Sequence, residues 1–155
     1  MHHEKFPLYQ AAHSAGDLQE AAKGWQRDGR AKDAMNLWGQ PLEWEDVAWA
    51  REWHDRITDW LERDGVRRAF VFKLARIASM HERVSTKLSR RSDLTEEQVR
   101  RRVRHERWLW TLVYYLAKES EELQPELQRL RDELVDRDRI RCLGTLARWV
   151  ELSTR

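Results

Sequence analysis

Apolar positions along this chain recur every three or four residues, and period-2 alternation is nearly absent. Val66, Phe70, Leu74, Ile77, Val84 and Leu88 fall on one stripe at 100° per residue, which predicts a long helix over 66–90 with His81 on the same apolar side. Trp49, Trp53, Ile57 and Trp60 form a second stripe and predict a helix over 41–64. Pro41 suits its first turn, Glu43, Glu45 and Asp46 suit the positive end of its dipole, and Gly65 stops it. A third long helix is expected over 96–118: Thr95 and Gln98 have capping-box spacing, and Val99, Val103, Trp110, Val113 and Ala117 repeat at helical intervals. The turn at 92–94 is short, so the helices on either side of it should pack antiparallel. Two shorter helices follow, over 125–135 with Leu127, Leu130 and Leu134 inward, and over 139–152 with Ile140, Leu143, Ala147 and Val150.

The first 40 residues are less regular. Short helices are expected at 6–14, from Asp17 with Glu20 in capping-box spacing, and at 31–38, with Gly16, Gly24, Gly29 and Gly39 between them. No repeat of solenoid period and no low-complexity linker interrupts the chain. The expectation is an all-α fold: a single domain over 1–155, with irregular short helices in 1–40 and the main bundle in 41–155, about five to seven helices in all.

Composition narrows the class. The 155 residues are 36% charged, with a mean hydropathy of -0.88, yet 9 Trp, 3 Tyr and 3 Phe supply the aromatic mass that disordered chains lack. No apolar run approaches the roughly 20 residues that cross a bilayer, and Met-His-His-Glu-Lys-Phe-Pro does not resemble a signal peptide. A cytoplasmic protein without membrane contact is expected. Cys142 is the single cysteine, which excludes an internal disulfide and a Cys-based zinc site.

Charge changes the picture more. Residues 1–66 hold 8 Lys and Arg against 13 Asp and Glu, residues 67–107 hold 13 against 5, and residues 108–155 hold 8 against 9, so a net charge of +2 conceals blocks of -5, +8 and -1. A basic block between acidic flanks suits a surface that holds a polyanion on a near-neutral protein. Arg76, Arg83, Lys87 and Arg90 lie within about 60° of one another on the 66–90 helix. Arg100, Arg104, Arg107 and Lys118 share a face of the next helix, with Thr111 between them and Tyr114 and Tyr115 at its margins. Arg90, Arg91, Arg100, Arg101 and Arg102 crowd the hairpin end, offset within it only by Asp93, Glu96 and Glu97, and like-charge repulsion there costs roughly a few tenths of a kcal/mol per close pair unless an anion is bound. Arginine is also the better residue for bidentate phosphate contact.

The competing reading pairs these arginines with Asp and Glu of the same molecule or of a neighbouring copy, and the two readings are compatible. Trp44 and Trp108 fall off the apolar stripes, so each covers a neighbouring helix or anchors an interface, and Trp108, beside Arg101, Arg104 and Tyr115, is also placed to stack on a base. The candidate nucleic-acid contacts are therefore Arg76, Arg83, Lys87, Arg90, Arg91, Arg100, Arg101, Arg104, Arg107 and Trp108.

Catalytic signals are weak. None of His2, His3, His13, His54, His81 and His105 has Glu three residues before it, as bundle di-iron sites require; His81 reads as a core histidine and His105 as a further phosphate contact. Glu43, Glu45 and Asp46 resemble a nuclease metal cluster, but their position in a first helical turn explains them more simply. There is no Gly-rich phosphate loop, no G-x-S-x-G and no H-E-x-x-H. A Ser, a His and an Asp brought together by folding are left open by the sequence, which offers nothing in their favour. No catalytic residue, metal or cofactor is implied.

A short helical chain without a catalytic motif, with Arg-rich helix faces such as Arg100-Arg101-Arg102-Val103-Arg104 and many aromatics, resembles the small all-helical subunits of multi-subunit (class 1) CRISPR effector ribonucleoproteins. The resemblance lies in overall character and transfers no residue. It implies a non-enzymatic subunit of an antiviral RNA-guided assembly, present in several copies along the guide. Its partners would be RNA or single-stranded DNA, held by the backbone without sequence readout, and other protein subunits including copies of itself. The alternative is a helical protein–protein interaction module that joins partners through acidic and basic faces.

Overall fold

The computed structural model describes residues 8–24, 26–27, 30–31, 34–104, 106–136 and 138–155, and within these the side chains of residues 8–12, 26, 27, 30, 31, 100, 104 and 136 are left aside. The described chain is predominantly helical, as the three-and-four periodicity predicts. It divides into two units, Met1–Trp49 and Ala50–Arg155.

In the first unit, helix α1 (Leu8–Lys23) lies against one of two small antiparallel hairpins, β1 (Gln26–Arg27) with β2 (Arg30–Ala31) and β3 (Ala34–Leu37) with β4 (Gln40–Glu43). The expected break between 6–14 and Asp17 is absent, and of the helix expected at 31–38 the described residues 31 and 34–37 are strand and Trp38 is turn. The reason is local. Trp38 and Gly39 have φ of 51° and 90°, the pair of positive values that a two-residue type I′ turn needs, and Asn36 Oδ1 accepts the Gly39 N–H at 2.9 Å. Pro41 belongs to β4 and not to the first turn of a helix. It faces Asn36, next to the closing pair Leu37 and Gln40, where the ladder alternation leaves a non-hydrogen-bonded pair and a missing N–H does no harm.

Helix α2 (Trp44–Glu62) begins three residues later than the expected start. Asp46 is buried and accepts the Glu43 N–H at 3.3 Å, one arm of a capping box, which accounts for that carboxylate structurally.

The second unit contains the rest of α2, then α3 (Ala69–Ser89), α4 (Glu96–Arg104), α5 (Arg107–Leu116), α6 (Gln124–Asp136) and α7 (Leu143–Ser153), with 3₁₀ turns at Glu121–Leu123 and Arg139–Cys142. Helix α3 is central and packs on α4, α5 and α7. Its buried side chains are Phe70, Val71, Leu74 and Ile77, as its stripe predicts, with Val84 and Leu88 half-buried toward its end. Trp53, Ile57 and Trp60 of α2 are buried as expected. Lys73 meets Glu119 at one end of the α3–α5 pair and His81 meets Trp108 at the other, so these helices run antiparallel. No described helix is long and apolar enough to cross a membrane.

The third long helix expected over 96–118 is two helices. The capping box forms as expected, with the Thr95 N–H donating to Gln98 Oε1 at 3.0 Å and the Gln98 N–H to Thr95 Oγ1 at 3.3 Å. The chain then breaks at Glu106, which is extended at φ -83° and ψ 165°. A break strips the last carbonyls of α4 of their i+4 donors. The Val103 carbonyl instead accepts the Glu106 N–H at 3.3 Å and the Trp108 indole N–H at 2.6 Å. The break also rotates the seam: Trp108, Leu112 and Leu116 are buried, whereas Trp110 is 69% exposed and Ala117 is exposed.

Candidate nucleic-acid interface

The candidate interface is built on the outer side of the α3–α5 pair. On α3, the buried residues Phe70, Leu74 and Ile77 fix the helix rotation, and the same rotation turns Arg76, Arg83, Lys87 and Arg90 outward, all of them exposed. Arg76, Arg83 and Arg90 recur every seven residues, so their Cα atoms stand about 10 Å apart along the axis. On α5, Trp108, Leu112 and Leu116 point inward, which leaves Arg107, Trp110 and Tyr114 outside.

Between the two helices lies an open groove of about 720 Å³. Arg76, Ser79, Met80 and Arg83 line it from α3, and Arg107, Trp110, Thr111, Tyr114 and Tyr115 line it from α5. Among the described residues, none of Arg76, Arg83 and Arg107 has a carboxylate partner, and no acidic side chain lines the groove. The aromatic wall is ordered by its own contacts. Tyr114 and Tyr115 rings are 5.8 Å apart, Lys118 Nζ stands 4.3 Å above the Tyr114 ring, and Lys73 Nζ, held by Glu119 at 2.8 Å, stands 5.4 Å from the Tyr115 ring.

Of the ten residues that the sequence nominates, Arg76, Arg83 and Arg107 meet in this groove. Lys87 and Arg90 continue the α3 track beyond it, with Glu82, Arg83 and Thr86 beside them. Arg101 is exposed on α4. Arg91 is exposed but engaged: its Nε and Nη2 donate to the two Asp93 oxygens at 3.0 and 2.7 Å, and this bidentate bond holds the Asp93 carboxyl below the usual carboxylate range. Arg100 and Arg104 lie on α4 with side chains outside the described set, and His105 lies outside the described residues.

Trp108 is corrected as a stacking residue. It is 1% exposed, its N–H is bonded to Val103, and the His81 ring meets it edge-on at 5.2 Å, so no ring face is open to a base. His81 is a packing histidine: burial pushes its pKa below the ordinary value, against the opposing pull of Asp138 and Glu82. The exposed indole is Trp110, which the continuous-helix seam had placed inward. The signal that finds it is the four-residue spacing of Trp108, Leu112 and Leu116, all large and apolar, which competes with the Val103–Trp110–Val113 seam once the helix is allowed to break.

Elsewhere, folding does bring a Ser, a His and an Asp together. His54 Nδ1 lies 2.9 Å from Asp55 Oδ1 and Nε2 lies 2.8 Å from Ser153 Oγ, in the order of a hydrolytic triad. Its surroundings oppose acyl transfer. Ser153 is the last residue of α7, its hydroxyl lies 3.1 Å from the carbonyl oxygens of both Trp149 and Val150, and a helix C-terminus repels a developing oxyanion. The group instead pins α2 to α7, with the His54 ring 4.8 Å from that of Trp149. Among the described residues, no three His, Cys, Asp or Glu side chains gather to hold a metal.

Comparison with protein-family models, with curated proteins and with solved structures gives no match to this chain.

Proposed function

We propose that this chain is a non-enzymatic helical subunit that binds nucleic acid through its phosphate backbone, without reading sequence. The observation that carries the reading is the convergence of Arg76, Arg83 and Arg107 on one groove that no carboxylate lines among the described residues, continued along α3 by Lys87 and Arg90 with Glu82 beside them. Exposed cations held close together repel one another, and a phosphate backbone relieves that repulsion while releasing counterions. Membership of a multi-subunit ribonucleoprotein, of the kind that CRISPR effector small subunits serve, is part of the same proposal.

A salt series measured by filter binding tests it. With four to six phosphates engaged on a single strand, log K against log salt should fall with a slope of roughly -0.7 per contact. Binding that is absent or independent of salt would sink the proposal. The second reading, a protein interaction module, is favoured by the exposed aromatics Trp38, Trp44 and Phe72. Light scattering on nuclease-treated and untreated protein separates the two, because only the first reading predicts copurified material absorbing at 260 nm.

A further inference from the structure

We infer that the α3–α5 groove is a stacking site for unpaired nucleobases, so that the ligand is a single strand whose bases, and not only its phosphates, are held. The inference rests on the nucleic-acid reading above and goes beyond it. Backbone binding alone needs cations, and the α3 track supplies them. It does not need an indole 69% exposed and a phenol 54% exposed standing between those cations. Leaving such rings in water forgoes the burial that drives aromatic side chains inward, so their position is informative where they form a wall.

The geometry favours bases over the alternatives. Trp110 and Tyr114 are one helical turn apart on α5, about 6 Å along the axis. That is close to twice the roughly 3.4 Å rise per nucleotide of a strand, the separation left when a ring slips between neighbouring bases. Arg107 lies one turn before Thr111 on the same face, and Arg76 and Arg83 stand on the opposite wall, so a strand with its bases on α5 has phosphates within reach of both helices. A duplex fits less well. Its bases are already stacked on one another, and rings projecting from the groove would face its charged backbone. Every base presents a π-face, so stacking of this kind carries no sequence preference, in keeping with the absence of a groove-reading motif.

The test is fluorescence anisotropy on the full chain with four labelled ligands of equal length: oligo(dT), oligo(U), an abasic strand carrying the same phosphates, and a duplex. The base-bearing single strands should bind roughly tenfold or more tighter than the abasic strand and the duplex. Trp110→Ala should weaken the base-bearing strands by roughly ten- to hundredfold and leave the abasic strand unchanged, and Trp110→Phe, which keeps a ring, should recover most of the loss. Arg83→Ala should weaken all four ligands alike. Equal affinity for base-bearing and abasic strands, preference for the duplex, or a Trp110→Ala protein that binds as well as the parent overturns base stacking and leaves backbone binding standing. Failure of all four ligands to bind overturns backbone binding as well. Oligo(dU) against oligo(U), which carry the same base, then assigns the sugar.

Discussion

Two places in the second unit use the same residue types, arginine and tryptophan, to opposite ends. Where α2 meets α6, Arg56 binds Glu126 at 2.8 Å and Glu52 at 3.3 Å, while Arg129 binds Glu52 at 2.7 Å and Glu133 at 2.9 Å. Both guanidinium groups stand 5.5 Å from the centre of the Trp53 ring, and the Trp53 indole donates to Glu133 Oε2 at 2.8 Å. Each of the two guanidinium groups there meets two carboxylates within the chain. In the α3–α5 groove, Arg76, Arg83, Arg107 and Trp110 are answered by nothing among the described residues. Composition therefore does not distinguish an arginine cluster paired within the chain from one left unpaired. Carboxylate pairing does, and among the described residues it is present at Arg56 and Arg129 and missing at Arg76, Arg83 and Arg107.

The sharpest way to break this contrast is through the tryptophans. Trp53 is fully buried with its N–H bonded, so Trp53→Ala should lower unfolding free energy by about 3–5 kcal/mol in urea denaturation. Trp110→Ala removes a ring that faces water and should change it by less than about 0.5 kcal/mol. Similar losses from both would mean that the groove is closed in solution and that its exposed wall is core.

The arginines come next. Replacing Arg76, Arg83 and Arg107 together with Ala should leave the melting temperature unchanged or slightly raised, since like charges are removed and Ala is the best helix former. Nucleic-acid binding should weaken, and the salt slope should flatten by about two, at roughly 0.7 per lost contact on a single strand. A lower melting temperature with unaltered affinity would move these three arginines into the class of Arg56 and Arg129.

How far this contrast was legible in the sequence follows from its physics. The stripes of α2 and α3 were legible because a long amphipathic helix repeats one signal many times, and those stripes already turn Arg76, Arg83, Lys87 and Arg90 outward. The α4–α5 break was not legible. It depends on one extended residue and on an indole reaching back five positions to a carbonyl, and a single phase error there exchanged Trp108 with Trp110. The β3–β4 hairpin was missed because its turn places Trp, and not Asn or Gly, at a positive φ. Helical spacing does place Glu52 beside Arg56 and Glu133 beside Arg129, four positions apart, but the partners across elements were beyond periodicity, since Arg56 meets Glu126 and Arg129 meets Glu52 across 70 and 77 positions of chain.

A smaller effect concerns the closed side of the groove helices. His81 packs on Trp108, and its pKa in the folded state is pushed below 6.5 by burial. Below about pH 6.5 the unfolded chain then binds more protons than the folded one, so stability should be full above that value and fall as acid carries the imidazole toward its folded pKa. Urea midpoints at pH 7.5 and 5.5 measure the fall, and His81→Gln should diminish it. An unchanged pH dependence in the variant would place the acid sensitivity elsewhere.

The smallest effect tests whether a carboxylate partner is what separates the two classes of arginine. Arg91 sits at the end of the α3 track, beside Arg90, yet is clasped by Asp93 through two bonds. Both side chains are exposed, so breaking the pair with Asp93→Asn should leave stability nearly unchanged. It should also convert Arg91 from an answered cation to an unanswered one. If partnership is the criterion, the variant's salt slope should steepen by up to about 0.7, one further phosphate contact on a single strand. Removing a negative charge strengthens attraction to any polyanion, so the control is Arg91→Ala made in both backgrounds. The slope gained by Asp93→Asn should vanish when Arg91 is absent, whereas a general rise in potential would persist. A gain that survives the loss of Arg91 would show that the track ends at Arg90 and that Asp93 acts on the whole basic end of the hairpin.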